Sequence, residues 1–352
     1  MDKTQLEQHV HGQGEAPVID NQDLSGNDYH EADLGGGVFT RVDFSGANLS
    51  GARLKECVFD NCDLTGARLE GADLTMATFS NIKGAESFLC DTTLTYTNFI
   101  DAALQKADFR NAGLNNTGFI NTDLTEAILA GTSGEYANFL NPVLTNADLS
   151  AADLYRPNFF YPQLKNINLS GTTLNLAFFL NPDFTDFDFS NTRMIMCQFQ
   201  DAEMPGTVFA GQDITQSGFT GANLAGADFS RTIADNCLFI KARLSGSNFS
   251  DSRLSQTLFV EADLTRCNFS GAVMVQSQLT KTRCEGTAFC RADLTYADLS
   301  HADLSGADLS RTSIYRTNLH QIIEKQTGWA GADKSLALST DPEKAKAEQY
   351  QP

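Results

Sequence analysis

A large apolar residue returns at every fifth position along most of this chain, and that spacing excludes the two ordinary ways of building a core. In ADLTYADLSHADLSGADLS (292–310) the leucines are Leu294, Leu299, Leu304 and Leu309. An amphipathic helix buries a residue every three or four positions, and a half-buried strand every two. The phase runs from Leu24 to Leu319 without insertion or deletion, through Leu74, Leu124, Leu174, Leu224, Phe249, Leu264 and Phe289. Of the 60 positions on this count, only Gly84, Gly134, Ala234 and Cys284 lack a large apolar side chain. The two glycines either leave dents or are filled by neighbours such as Phe88 and Tyr136. Two residues before each large position stands a small one, as in Ala47, Ala52, Cys57, Cys62, Ala67, Ala72 and Ala77. The other three positions are mostly Asp, Asn, Arg, Ser, Thr and Gly. Each unit therefore sends two side chains of five inward.

A second period sets the shape. Phenylalanine recurs at 39, 59, 79, 99, 119, 139, 159, 179, 199, 219, 239 and 259, always 20 apart. A period of 20 over a period of five means four units per turn, so residues 20 apart stack as in a solenoid. Phe39 and Phe109 fall in columns facing each other across the square, and Leu24 and Leu34 in the other pair. About 15 four-sided coils at a strand spacing of about 4.8 Å predict a rod roughly 70 Å long.

These A(D/N)LXX units, in phase over residues 22–319, resemble those of the pentapeptide-repeat proteins. The resemblance implies an all-β fold, a right-handed quadrilateral β-helix, and leaves function open because that family is functionally mixed. The expected organisation is a flexible polar segment at 1–21, the β-helix at 22–319, and a C-terminal cap and tail at 320–352. Ile322, Ile323 and Trp329 are expected to cover the last coil, whose open edge otherwise invites pairing. Thr340-Asp341-Pro342-Glu343 reads as the start of a short charged helix.

Several functions are disfavoured. A filled square rod offers no concavity in which catalytic groups converge, and no nucleotide loop, GxSxG or HExxH motif is present. No enzyme activity, cofactor or metal site is expected. The histidines (His9, His11, His30, His301, His320) lie mostly near the ends, and His9 with His11 make a weak metal motif. Cys57, Cys62, Cys197, Cys237 and Cys267 occupy the small inward position and Cys284 the large one, as reduced core residues do. Recurrent acids such as Asp43, Asp63 and Asp73 read as solvated or ladder-capping groups. The N-terminus has no apolar segment of signal-peptide type and no run is long enough to span a membrane, so a cytoplasmic protein is expected.

Two surface features point to partners. Residues 22–319 carry 35 acids and 20 bases, a net charge of −15 out of −19 for the chain, which invites comparison with family members that protect DNA gyrase from quinolones by resembling duplex DNA. DNA, however, carries a charge about every 1.7 Å, and this rod a net one only about every 5 Å, with basic residues interleaved. The second feature is local. FLNPVL (139–144), FFYPQL (159–164) and FLNPDF (179–184) are spaced by 20, and the outward position after each core Phe reads Ile100, Ile120, Leu140, Phe160, Leu180. Phe178 and Tyr161 flank this stripe, Tyr136 and Tyr155 precede it, and Pro142, Pro162 and Pro182 follow it, expected to remove three backbone donors at one corner. Ile240 and Val260, beside Leu238 and Leu258, repeat the pattern more weakly. Over five coils such a stripe exposes a few hundred Å², the size at which apolar surface begins to suggest a partner. The alternatives are a shallow second core and a homodimer seam.

The expected function is a non-catalytic protein-interaction scaffold of a bacterium, binding neither nucleic acid directly nor membrane. Its uninterrupted coils and TDPEKAKAEQY tail are similar to those of long pentapeptide-repeat proteins that accompany type VI secretion spikes, which implies an adaptor or chaperone for a secretion or effector component. The alternative is a DNA-mimicking gyrase-binding protein.

Overall fold

The computed structural model describes residues 1–12 and 18–349. By packing, the chain forms two units, one of Met1–Pro182 with Asn191–Arg193, the other of Asp183–Ser190 with the residues from Met194 onward. Both are parallel β-solenoids with 20 residues per four-sided coil.

In the first unit the side that carries the Phe column is the most regular. Its strands are β1 (Val18–Asp20), β2 (Val38–Thr40), β3 (Val58–Asp60), β4 (Thr78–Ser80), β5 (Asn98–Ile100), β6 (Gly118–Ile120), β8 (Asn138–Leu140), β10 (Asn158–Phe160) and β12 (Phe178–Leu180). They pair in that order, parallel, each residue opposite the one 20 later. A second side pairs as β7 (Ser133–Glu135), β9 (Asp153–Tyr155) and β11 (Thr173–Asn175). The remaining sides make single bridges, as between Asp23 and Asp43, Asp28 and Asn48, and Asp33 and Arg53. Ile19, one unit before Leu24, is already 2% exposed, so the coils begin earlier than the leucine count indicates.

Corners follow from backbone geometry. The residue two after nearly every large inward position has positive φ, as at Glu31 (54°), Gly46 (63°) and Gly51 (66°), with Asn191 an exception. Ala47 N–H donates to Phe44 O at 2.9 Å and Ala52 N–H to Leu49 O at 3.1 Å. That combination is the type II turn, whose third residue is held at least cost by Gly or Asn.

Inside, Phe79, Phe99, Phe119, Phe139, Phe159 and Phe179 stack face to face, with successive centroids 4.6–5.3 Å apart. Each fully buried ring contributes about 1.5–3 kcal/mol of transfer free energy. The small inward position does more than save space. Thr97 Oγ1 donates to Leu74 O at 2.6 Å, Thr117 Oγ1 to Leu94 O at 2.7 Å, and Cys57 Sγ to Leu34 O at 3.0 Å. A buried hydroxyl needs a partner, and at these positions the carbonyl 23 residues back supplies it, while at Ser87 and Thr92 the carbonyl three residues back does. Burial pushes the Cys57 thiol up to about 12 and the Cys62 thiol to about 11. Cys57, Cys62, Cys90, Cys237, Cys267, Cys284 and Cys290 are free thiols. The space at Gly84 is taken by a Leu104 methyl and that at Gly134 by backbone. An added Cβ would lie 2.7 Å from Leu104 Cδ2 at Gly84 and 2.6 Å from the Leu114 carbonyl carbon at Gly134. Phe88 and Tyr136, each 42% exposed, do not fill these positions.

The recurrent aspartates brace the turns. Asp43, Asp63 and Asp73 each accept the N–H of the residue two later, Ser45, Thr65 and Thr75, at 2.8–3.0 Å. At Asp63 and Asp123 burial pushes the carboxyl up, but hydrogen bonds from Thr65 and Thr125 outweigh it, helped by Lys83 and Gln105 respectively, and both lie below the ordinary value of 3.8. A carboxylate depressed in the folded state adds stability above its unfolded pKa and loses it as pH falls through the folded value. Thermal unfolding by circular dichroism should therefore change little between about pH 7 and 5 and fall below about pH 4. Stability that rises on acidification would contradict this role.

The N-terminus differs from expectation. Helix α1 (Lys3–Val10) starts with a capping box of Asp2 and Gln5 and buries Leu6 and Val10. Tyr29 Oη donates to Met1 O at 2.8 Å, and Asp33 N–H donates to Glu7 Oε1 at 3.0 Å. The part of 1–21 read as loose is thus a docked helix, because two apolar residues four apart on one helix face find the first coil; residues 13–17 lie outside the described residues.

In the second unit two Phe columns stack, Phe189 through Phe289 and Phe199 through Phe259, and meet edge to face, as in Phe249 with Phe259 at 5.9 Å and 90°. Bridges 20 apart continue to Asn318 with Leu338, past the boundary at 319. Helix α2 (Pro342–Glu348) begins where the sequence indicates, with Asp341 Oδ1 accepting from Glu343 and Lys344 N–H. Ile322 and Trp329 are half-buried, whereas Ile323 is 46% exposed and does not cover the coil. No described helix is long and apolar enough to cross a membrane.

Candidate interaction surface

The third residue of each strand in the Phe-column sheet points outward. In β1 to β4 it is Asp20, Thr40, Asp60 and Ser80. In β5, β6, β8, β10 and β12 it becomes Ile100, Ile120, Leu140, Phe160 and Leu180, in register with one another. All five are half-buried. The parallel pairing holds neighbours one strand spacing apart, so the side chains form a continuous ladder and partly cover each other. Phe178, first residue of β12, is half-buried beside it, its ring 5.7 Å from that of Phe160. Tyr161, 52% exposed, holds the corner at φ 52°.

Two groups of predicted residues lie elsewhere. Pro142, Pro162 and Pro182 are buried, each two residues before a large inward residue (Leu144, Leu164, Phe184). They take the place of the usual Ala, Cys or Thr and contribute no surface. They also remove no donor in use. Among the described residues, Val42, Cys62, Ile82, Ala102 and Thr122 at the same corner donate no backbone hydrogen bond. The absent N–H of proline is therefore harmless there.

Tyr155 is the outward third residue of β9 and belongs to a separate cluster on the preceding side. Its ring meets that of Tyr136 edge to face at 6.2 Å. The Arg156 guanidinium lies 5.8 Å from the Tyr136 centroid and 5.4 Å from that of Tyr155, and its Nη1 donates to Tyr136 Oη at 3.3 Å. The two rings and the cation rigidify one another.

Sequence reasoning missed Arg156 and the corner column that contains it. Met76 (51% exposed) and Tyr96 (53%) share this column with Tyr136, all at φ near 60°. A bulky residue in the left-handed region costs more than Gly or Asn there, and no burial of the side chain offsets it. The signal was readable as large apolar residues 20 apart at a turn position.

In the second unit Leu238 pairs with Leu258, and Ile240 and Val260 are half-buried beside them. This is a shorter version of the same arrangement.

Comparison with known proteins agrees with the fold. A family model described as "Pentapeptide repeats" matches residues 30–61, 38–75, 77–111 and 292–322, and one described as "Pentapeptide repeat region" matches 212–289. Among solved structures the chain is similar to QnrB1, described as a plasmid-mediated fluoroquinolone resistance protein. They are 18% identical over 59% of this chain and 93% of that one, with a TM-score of 0.36. It is also similar to Rfr23 from the cyanobacterium Cyanothece, 23% identical over 33% of this chain and 90% of that one, TM-score 0.26. A third is HetL from the cyanobacterium Nostoc, described as involved in heterocyst differentiation regulation, 22% identical over 87% and 96%, TM-score 0.18. A comparison with curated proteins finds no match.

Proposed function

The chain belongs to the pentapeptide-repeat family, and on that footing we propose that it is a non-catalytic interaction scaffold whose outward ladder Ile100–Ile120–Leu140–Phe160–Leu180 contacts another protein. One observation carries the reading. The same column is polar at Asp20, Thr40, Asp60 and Ser80, then large and apolar at five consecutive coils. The fold needs only the inward positions to be apolar, so the ladder is an addition to the repeat. Half-buried side chains fixed by strand pairing lose little further freedom on docking, which favours association.

The specific version is an adaptor for a bacterial secretion spike or its effector. It rests on the length of uninterrupted repeat and the charged tail. Affinity purification from native cytosol tests it, comparing the wild-type chain with a variant carrying Leu140→Ser, Phe160→Ser and Leu180→Ser. The expected result is a protein, a spike or effector component, retained by the wild type and lost by the variant. DNA gyrase retained equally by both would assign the affinity to the acidic surface and replace this reading with topoisomerase binding.

A further inference from the structure

The second unit gathers three metal-ligating groups from three separate places in the chain. His301 stands at a corner with φ 61°, His320 lies on the following coil, and Glu348 arrives from α2. Glu348 Oε2 is 3.1 Å from His320 Nε2 and 3.5 Å from His301 Nε2. All three ligand atoms lie within 4.8 Å of one another. Zinc bonds of 2.0–2.1 Å at tetrahedral angles put ligand atoms about 3.3 Å apart, which two of these separations already approach. We propose that His301, His320 and Glu348 form a binding site for a divalent transition cation, zinc in the first instance.

The donor set selects the ion. Two imidazoles and one carboxylate suit zinc better than calcium or magnesium, which take oxygen shells. A fourth position opens onto a cleft of about 360 Å³ lined by Lys281, His301, Gln321, Glu348 and Gln349. Gln321 Nε2 donates to Glu348 Oε2 at 2.9 Å, while Lys344 stands 3.8 Å from the other oxygen, Oε1. Oε2 is therefore the atom turned to the histidines. Lys281, on the cleft, and Lys344, at Glu348 Oε1, oppose a bound cation and make the site weaker than a closed structural zinc site.

Loading has a definite proton cost. His320, 3% exposed at its side chain, accepts Asp341 N–H on Nδ1 at 3.1 Å. Without metal its proton therefore sits on Nε2 and faces Glu348. A neutral imidazole that ligates through Nε2 carries its proton on Nδ1. Metal binding moves the proton from Nε2 to Nδ1, and the Asp341 N–H must give up its acceptor. Asp341 caps α2, a helix that buries no residue and so can adjust. The site thereby couples metal to the seating of the C-terminal helix.

Titration of the metal-free full chain with zinc sulfate by calorimetry at pH 7.5 tests the proposal, with cobalt(II) absorption reporting coordination. The expected result is one site, tetrahedral cobalt bands and a shifted Asp341 amide resonance. His320→Gln and Glu348→Gln should each weaken zinc at least tenfold while circular dichroism stays unchanged. His9→Gln with His11→Gln should leave binding intact. No saturable uptake by the wild type, or uptake that survives both His320→Gln and Glu348→Gln, would overturn the proposal and leave the cluster as a hydrogen-bonded clamp on α2.

Discussion

Phe159→Ala is expected to destabilise the first unit by about 3–5 kcal/mol. The ring is 1% exposed and sits 4.6 Å from both Phe139 and Phe179. The void cannot collapse, because strand pairing fixes β8 and β12 on either side of β10. A solenoid's stability is approximately a sum over neighbouring coils, so the loss should stay local. Urea unfolding followed by circular dichroism, with hydrogen exchange to locate the change, should show early opening around residues 138–180. A cost below about 1.5 kcal/mol would mean that the Phe column is more compliant than its stacking indicates.

Its neighbour should behave oppositely. Phe160 points outward from the same strand, half-buried against Phe178. Phe160→Ala is expected to cost about 1 kcal/mol or less in stability and to weaken partner binding at least tenfold, as an aromatic at the centre of a docking surface does. Binding of the captured partner by calorimetry, beside thermal melts of both variants, separates the roles. If Phe160→Ala destabilised as much as Phe159→Ala, the ladder would be a second core rather than a contact surface.

The coil was legible in the sequence because each turn repeats the same physical problem. Leu24 to Leu319 and the 20-residue Phe spacing fix side and phase without knowledge of any particular contact. The ladder was legible for the same reason, since Ile100 to Leu180 break a polar column. The prolines were misplaced because Pro142, Pro162 and Pro182 were read as corner residues, although the five-residue count puts them in the small inward position. Helix α1 was obscured by its polar composition; the Asp2–Gln5 capping box and the pair Leu6 and Val10 were its only local signs. The His301–His320–Glu348 cluster was beyond reach of the pattern, because Glu348 lies outside the repeat and its position depends on how α2 turns back.

The 20-residue register has a consequence for how such a chain can change in length. Removing five residues between Phe119 and Phe139 would keep the inward phase, because every unit sends its first and third residues to the core. It would also move each later residue to the next side of the coil. Leu140, Phe160 and Leu180 would then stand round the corner from Ile100 and Ile120, and the ladder would be cut in two. Length changes are thus of two kinds: units of five keep the inward phase, and only units of 20 also keep the columns and the surface in register.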